Sequence, residues 1–334
     1  MKINAFAAAK KRAPLAPWSF ETKELRCQEC VVRVLACGIC HSDVHMIDND
    51  WMMSQYPLVP GHEIVGEVME VGSGVSHIKA GDRVGIGWQK SACMHCDDCL
   101  HGNENLCDHN VPTIVGNHGG FADHVVTDSR FVFKIPDGLE TPSVGPLLCG
   151  GITVFSALHY AGMTSGQRVG IIGVGGLGHM AVQFASKMGN HVTAFTTSSD
   201  KAEFAANLGA HDAVVVTGNT FSHAPAKKLD ILLSTIPAPL DLDNYINLLN
   251  SDGTLCYVGI GEASANVPLL PLLQKRRRVM ASPIGGRGMI RHMLDVADAH
   301  GVAPIVELFP FDKVNEAIDK VRNNTIRYRA VLMN

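Results

Sequence analysis

Arg168-Val-Gly-Ile-Ile-Gly-Val-Gly-Gly-Leu-Gly-His-Met180 is the stretch on which the fold turns. Arg168 to Ile172 has the composition of a buried strand. It runs into Gly173-Val174-Gly175-Gly176-Leu177-Gly178, and a helical pattern covers Gly175 to Lys187. A glycine motif alone is weak. Between a strand and a helix it reads as a dinucleotide turn, because glycines let backbone N–H groups approach a pyrophosphate at a helix N-terminus. A ligand-free glycine turn is the plainer alternative.

Downstream, His191 to Thr196, Asp212 to Val216, Leu229 to Ser234 and Thr254 to Val258 read as further strands. Val154 to Tyr160 and Leu240 to Leu249 read as helices. Strands alternating with helices predict a parallel sheet covered on both faces. Upstream, about 145 residues read as short strands with dense glycine punctuation, the pattern of a small barrel. Met94 to Asn110 has no periodicity and reads as a loop or lobe. In the tail, Met289 to His300 and Val314 to Val321 read as helices and Tyr328 to Leu332 as a strand. The pattern leaves open which half the tail packs on.

A chain of 334 residues suggests two domains, and 46% hydrophobic with 18% charged residues is the balance of a folded protein. The net charge of −4 offers nucleic acid no general attraction. Lys275-Arg276-Arg277-Arg278 reads as a solvated turn entering a strand. No signal peptide is read at the N-terminus, and no stretch is read as reaching the roughly 18 apolar residues of a membrane span. The expectation is a cytoplasmic protein that binds neither membrane nor nucleic acid. In a reducing compartment, clustered cysteines suit metal better than disulfides.

Cys93, Cys96, Cys99 and Cys107 supply four thiolates at short spacing. Such a set closes a tetrahedral zinc site with no open position, which is a structural role. An iron–sulfur site is the alternative. Cys40, His62, Glu63 and Cys149 are dispersed, each in a glycine-bearing context. Two thiolates and an imidazole would leave a catalytic zinc one position for water or substrate. On spacing alone this second set is weak, since lone histidines and cysteines are commonly core residues. At the end of the strand from His191, Thr196-Thr197-Ser198-Ser199-Asp200-Lys201 offers hydroxyls and a lysine. These suit the 2′-phosphate of NADP better than the ribose of NAD, where a carboxylate is expected. Asp200 reads as a complement to the next helix's dipole.

Together these motifs resemble the zinc-containing medium-chain dehydrogenases, and within them the cinnamyl alcohol dehydrogenases and bacterial broad-range aldehyde reductases. Gly38-Ile39-Cys40-His41-Ser42-Asp43, Pro60-Gly61-His62-Glu63, Gly81-Asp82-Arg83-Val84-Gly85, the four-cysteine lobe, Cys149-Gly150-Gly151-Ile152-Thr153 and the glycine turn carry the likeness. It implies an α/β protein with a GroES-like β-barrel catalytic domain (1–146) and a doubly wound Rossmann sheet (147–284), the tail (285–334) returning to the catalytic domain. Cys40, His62 and Cys149 would hold the catalytic zinc. Glu63 would stand close by, as a neighbour or an alternative ligand. Asp43 would orient His62, a common carboxylate–histidine–zinc arrangement.

The resemblance further implies a proton relay through Ser42 and His45. His41 and Thr153 would line the cofactor, and Thr196, Thr197, Ser198 and Lys201 would hold the 2′-phosphate. The implied activity is interconversion of primary alcohols and aldehydes with NADP(H), by a homodimer. An NAD-dependent polyol, formaldehyde or threonine dehydrogenase and a non-enzymatic zinc protein are the other readings. The segment from Cys107 to Gly119-Gly120 is shorter than in the plant enzymes, which weakens any carry-over of substrate. Trp51 and Trp88 are pocket candidates. Cys27, Cys30, Cys37 and Cys256 read as ordinary barrel or core residues.

Overall fold

The computed structural model describes residues 1–259, 261 and 264–334. The chain forms two compact units, Met1–Cys149 with Gly285–Asn334, and Gly150–Ile284.

The second unit is a sheet whose six parallel strands follow the order 212–217, 191–196, 168–172, 229–234, 249–257, 278–281, with a short antiparallel strand, Thr220–Phe221, at one edge. Counted along the chain, the parallel strands run 3-2-1-4-5-6. The order reverses between Arg168–Ile172 and Leu229–Ser234, and ligands of such sheets bind beyond the strand ends at that reversal. The glycine turn lies there. Gly173 has φ +86, and a Cβ on Gly178 would sit 1.8 Å from the Gly173 carbonyl oxygen. Turn and helix therefore pack closer than any side chain permits. The turn also delays the helix, which runs Gly178–Lys187 and does not begin at Gly175.

Two other readings change. The helix expected over Leu240 to Leu249 is only Leu242–Ile246, and the following strand is longer than expected, Leu249–Tyr257. The Leu229 N–H donates to the Leu248 carbonyl at 2.9 Å and Leu229 pairs with Leu249, so the sheet takes in the end of the stretch read as helix. A helix unread in the sequence, Leu269–Lys275, precedes the basic run, with Arg276 in the left-handed conformation as its cap. Arg276 pairs with Asp252 at 2.8 Å and Arg277 donates to the Leu249 carbonyl at 2.7 Å, so those charges serve the fold.

The first unit is built on an antiparallel sheet, 329–333, 29–39, 63–71, 83–86 and 132–134 in order. His124–Asp128 also pairs with Glu29–Ile39, and Val306–Pro310 runs parallel beside the last strand of the chain. The tail thus belongs to this unit. Its helices bury one stripe each, Ile290, Met293, Leu294 and Ala297 on Arg287–His300, and Val314, Ala317, Ile318 and Val321 on Val314–Arg322.

Thr141–Tyr160 corrects the expectation about membrane length. It forms a continuous helical run of 20 residues with mean hydropathy 1.3, enough in length and composition for a span, but 78% of its most apolar window is buried inside the fold. Core packing accounts for its apolar character.

Candidate active site

The strand Glu29–Ile39 ends at Cys40, which starts the helix His41–Asp48. Asp43, in the first turn of that helix, is fully buried and satisfies three groups. Its Oδ2 accepts from the Cys40 N–H at 2.9 Å. Its Oδ1 accepts from the Gly61 N–H at 2.9 Å and lies 2.9 Å from His62 Nδ1. With Nδ1 committed to Asp43, Nε2 faces the sulfurs and lies 3.3 Å from Cys149 Sγ. Cys149 Sγ is 3.9 Å from Cys40 Sγ. Trp88 fixes the imidazole from the side, edge to face at 4.9 Å.

The ligand atoms of Cys40, His62, Glu63 and Cys149 all lie within 4.8 Å of one another, and all four residues are buried. A tetrahedral zinc with bonds of about 2.0–2.3 Å sets ligand–ligand edges of about 3.3–3.8 Å. The two measured edges of the buried trio, 3.3 and 3.9 Å, fit such an ion. The hydrogen bond from Cys149 holds the Cys40 thiol well below its ordinary range despite burial, with His62 assisting. The same bond, with burial, pushes Cys149 well up. Burial pulls His62 down, but the charge and hydrogen bond of Asp43 leave it well above its usual value.

Glu63 begins the next strand, Glu63–Val71, paired with Gly38. Burial pushes its carboxyl up to about 7, against the pull of Arg329. The Arg329 guanidinium donates to Glu63 Oε1, while Glu63 Oε2 has no protein partner among the described residues. A Cβ on Gly38 would meet Oε2 at 2.1 Å, so only glycine leaves room for this carboxylate. Arg329 was not singled out in the sequence. The available signal was an arginine inside the apolar strand Arg329–Met333, since a charge there requires a buried counter-charge.

The second cluster is the lobe of Cys93, Cys96, Cys99 and Cys107, whose sulfurs also lie within 4.8 Å of one another. Cys93 Sγ is 3.9 Å from Cys99 Sγ and 3.6 Å from Cys107 Sγ. The backbone N–H groups of His95 and Cys96 bring the Cys93 thiol down to about 6. Four sulfurs close a tetrahedron, and nothing remains open for substrate. The lobe is fastened to the tail: buried Glu104 accepts from Arg287 Nε at 2.7 Å and from the Arg287 N–H at 3.0 Å. This latch, too, was invisible in the sequence. Among the described residues, Cys27, Cys30, Cys37 and Cys256 join neither cluster.

Ser42 is half-buried, its Oγ 3.7 Å from Cys40 Sγ. His45 Nδ1 lies 2.8 Å from Asp50 Oδ2, and the His45 ring packs 5.2 Å from Trp51. Trp51 in turn meets Trp88 edge to face at 6.2 Å.

In the other unit, a cavity of about 350 Å³ opens at the strand reversal. Gly173, Val174, Gly175, Thr196, Thr197 and Lys201 are among the residues that line it. Ser198 caps the helix Ser199–Asn207, its Oγ accepting from the Lys201 N–H at 3.4 Å. Asp200 lies in the first turn of that helix. Gly176, Leu177, Gly178, Ser198, Thr153 and His41 are not among the residues lining the cavity. Thr153 is buried in the helix Ile152–Tyr160, and His41 lies exposed in the first unit.

The chain matches the alcohol dehydrogenase GroES-like domain over residues 26–137 and the zinc-binding dehydrogenase domain over residues 176–299. It is 43% identical to an aldehyde reductase, AdhA, of Synechocystis, over 99% of this chain and 98% of that one. Among solved structures it resembles a cinnamyl alcohol dehydrogenase from Sorghum bicolor (36% identity, TM-score 0.93, 100% and 98% of the two chains). It also resembles a cinnamyl alcohol dehydrogenase from Helicobacter pylori complexed with NADP(H) (30% identity, TM-score 0.91, 100% and 98%). The protein is therefore a zinc-containing medium-chain alcohol dehydrogenase, of the group that includes the cinnamyl alcohol dehydrogenases and bacterial aldehyde reductases.

Proposed function

We propose that this enzyme interconverts primary alcohols and aldehydes with NADP(H), using Cys40, His62 and Cys149 as ligands of a catalytic zinc and the lobe cysteines as ligands of a structural one. The observation that carries the reading is the buried trio, with two sulfurs and Nε2 at tetrahedral spacing and Glu63 drawn to Arg329. When bound there, zinc supplies Lewis acidity toward a substrate oxygen. The chain's own groups do the rest. Asp43 fixes the tautomer and direction of His62. The Ser42 hydroxyl, half-buried beside Cys40, exchanges the substrate's proton, and His45 forms the outer end of that relay. Trp51 and Trp88 give the site an apolar wall.

On the cofactor side, the N–H groups of Gly173 to Gly178 are offered to a pyrophosphate. Thr196, Thr197, Ser198 and Lys201 are the groups for the 2′-phosphate. The strand end at Thr196 carries no carboxylate, which favours NADP over NAD, as does the NADP(H) in the Helicobacter pylori structure. Residues 1–146 with 285–334 are read as the catalytic domain and 147–284 as the cofactor domain, with His41 and Thr153 as further cofactor contacts.

The test is a panel of aldehydes with NADPH and NADH, following nicotinamide absorbance, on the wild type and Ser42→Ala. The wild type should reduce aldehydes with NADPH preferred, and Ser42→Ala should keep its zinc and lose most turnover. Turnover by NADH alone would overturn the cofactor assignment, and unchanged turnover in the variant would remove Ser42 from the relay. We also read the protein as a homodimer. Leu269, Leu270 and Leu273 stand exposed beside the sheet-edge strand Arg278–Ala281, a face suited to a second copy. Sedimentation at the monomer mass would refute that.

A further inference from the structure

At the end of the second unit's sheet where its strands begin, two histidines lie face to face. His191 opens the strand His191–Thr196, and His211 stands just before the neighbouring strand Asp212–Thr217. Their rings stack with centroids 4.7 Å apart and planes inclined by 25°. The first register pair of the two strands is Thr193 with Asp212. One step before it, His211 takes both backbone groups of the fully buried Val192. The His211 N–H donates to the Val192 carbonyl at 2.8 Å, and the Val192 N–H donates to His211 Nδ1 at 3.1 Å. The imidazole thus stands where a parallel ladder would place a carbonyl.

An imidazole accepts at Nδ1 only while that nitrogen carries no proton, and the neutral ring then keeps its proton on Nε2. We propose that His211 is an acid-sensitive clasp on this sheet edge: neutral, it closes the pairing of His191–Thr196 with Asp212–Thr217, and protonated, it releases that pairing. A second proton on the ring sets N–H against N–H and leaves a buried backbone donor unpaired, a larger cost than the bond's own net worth. The stacked His191 ring adds repulsion when both rings are charged. Burial and the charge of His191 hold the His211 ring below the usual imidazole value. A histidine lowered in this way adds stability that is present in full above its unfolded value and is lost as the pH falls through the folded one. Among the charged groups on neighbouring strands, Asp212 is turned to His223 Nε2 at 3.0 Å, and Arg168, opposite His191 in the sheet, to Asp230 at 3.7 Å. The helices Gly178–Lys187 and Ser199–Asn207 bring Lys187, Asp200, Lys201 and Glu203. At its far end the clasped strand carries Thr196, one of the residues lining the cavity.

The test is hydrogen exchange read by mass spectrometry on the zinc-loaded protein, with each rate divided by the intrinsic rate at the same pH. In the wild type, protection of the segment holding the Val192 amide should fall about tenfold between about pH 8 and about pH 5, the size set by one buried donor left unpaired. His211→Asn places an amide oxygen near the position of Nδ1 and does not titrate, so its protection should stay level with pH. His191→Gln removes the like charge, so the fall should begin at a higher pH than in the wild type. Wild-type protection that is level across the range, or a fall in His211→Asn as steep as the wild type's, would overturn the proposal. So would an equal fall in the strand Leu229–Ser234 of the same sheet, which would mean a general loosening and no clasp.

Discussion

Replacing Arg329 by Leu should destabilise the first unit by about 3–5 kcal/mol, the usual cost of stranding one partner of a buried ion pair. Arg329 is 4% exposed and Glu63 fully buried. The carboxylate left behind would lose its guanidinium partner, and its other oxygen already lacks a protein partner among the described residues. The variant Glu63→Gln with Arg329→Leu removes both charges and should recover much of the loss, because the penalty belongs to the unpaired charge and little of it to the pair's net strength. Denaturant midpoints of wild type, single and double variants measure this. A single-variant loss below about 1 kcal/mol would show that Glu63 meets water or another cation, contrary to the buried pairing described.

Replacing Lys201 by Ala should weaken NADPH by roughly 10- to 100-fold and change NADH by less than about twofold, the range expected for losing charge-assisted hydrogen bonds to phosphate. Lys201 is exposed, near the start of the helix Ser199–Asn207, and lines the cavity together with Thr196 and Thr197. On the reading of this cavity as the NADP site, its ammonium meets only the cofactor that bears the extra phosphate, while the Ser198 cap, which holds the Lys201 backbone N–H, is untouched. Binding titrations with both reduced cofactors decide it. Equal losses for the two would mean that Lys201 supports the helix or the shared ribose and does not select the 2′-phosphate.

Some of this was legible in the sequence, and the parts divide by range. The glycine turn is a local pattern, and strand, turn and helix are contiguous in the chain, so the doubly wound sheet could be read from Arg168 to Met180 and the alternation after it. Four cysteines within fifteen positions likewise announce themselves. Cys40, His62 and Cys149 carry no such signal, because strand pairing and the helix start that bring them together are long-range. Only their resemblance to a family made them a set. The Glu63–Arg329 pair joins positions 266 apart, and the Glu104–Arg287 latch joins positions 183 apart. No periodicity marks either. The helix expected to Leu249 failed for a related reason, since the strand beside it took the backbone that local pattern had assigned to a helix.

The buried trio and the lobe are two separate metal sites in this account, and counting zinc tests that most directly. Elemental analysis of purified wild type should find two ions per chain, one for each ligand cluster. His62→Ala should retain one, held by the four lobe cysteines, and lose aldehyde reduction. One ion in the wild type, or two in the variant, would contradict the assignment of Cys40, His62 and Cys149 to a catalytic ion.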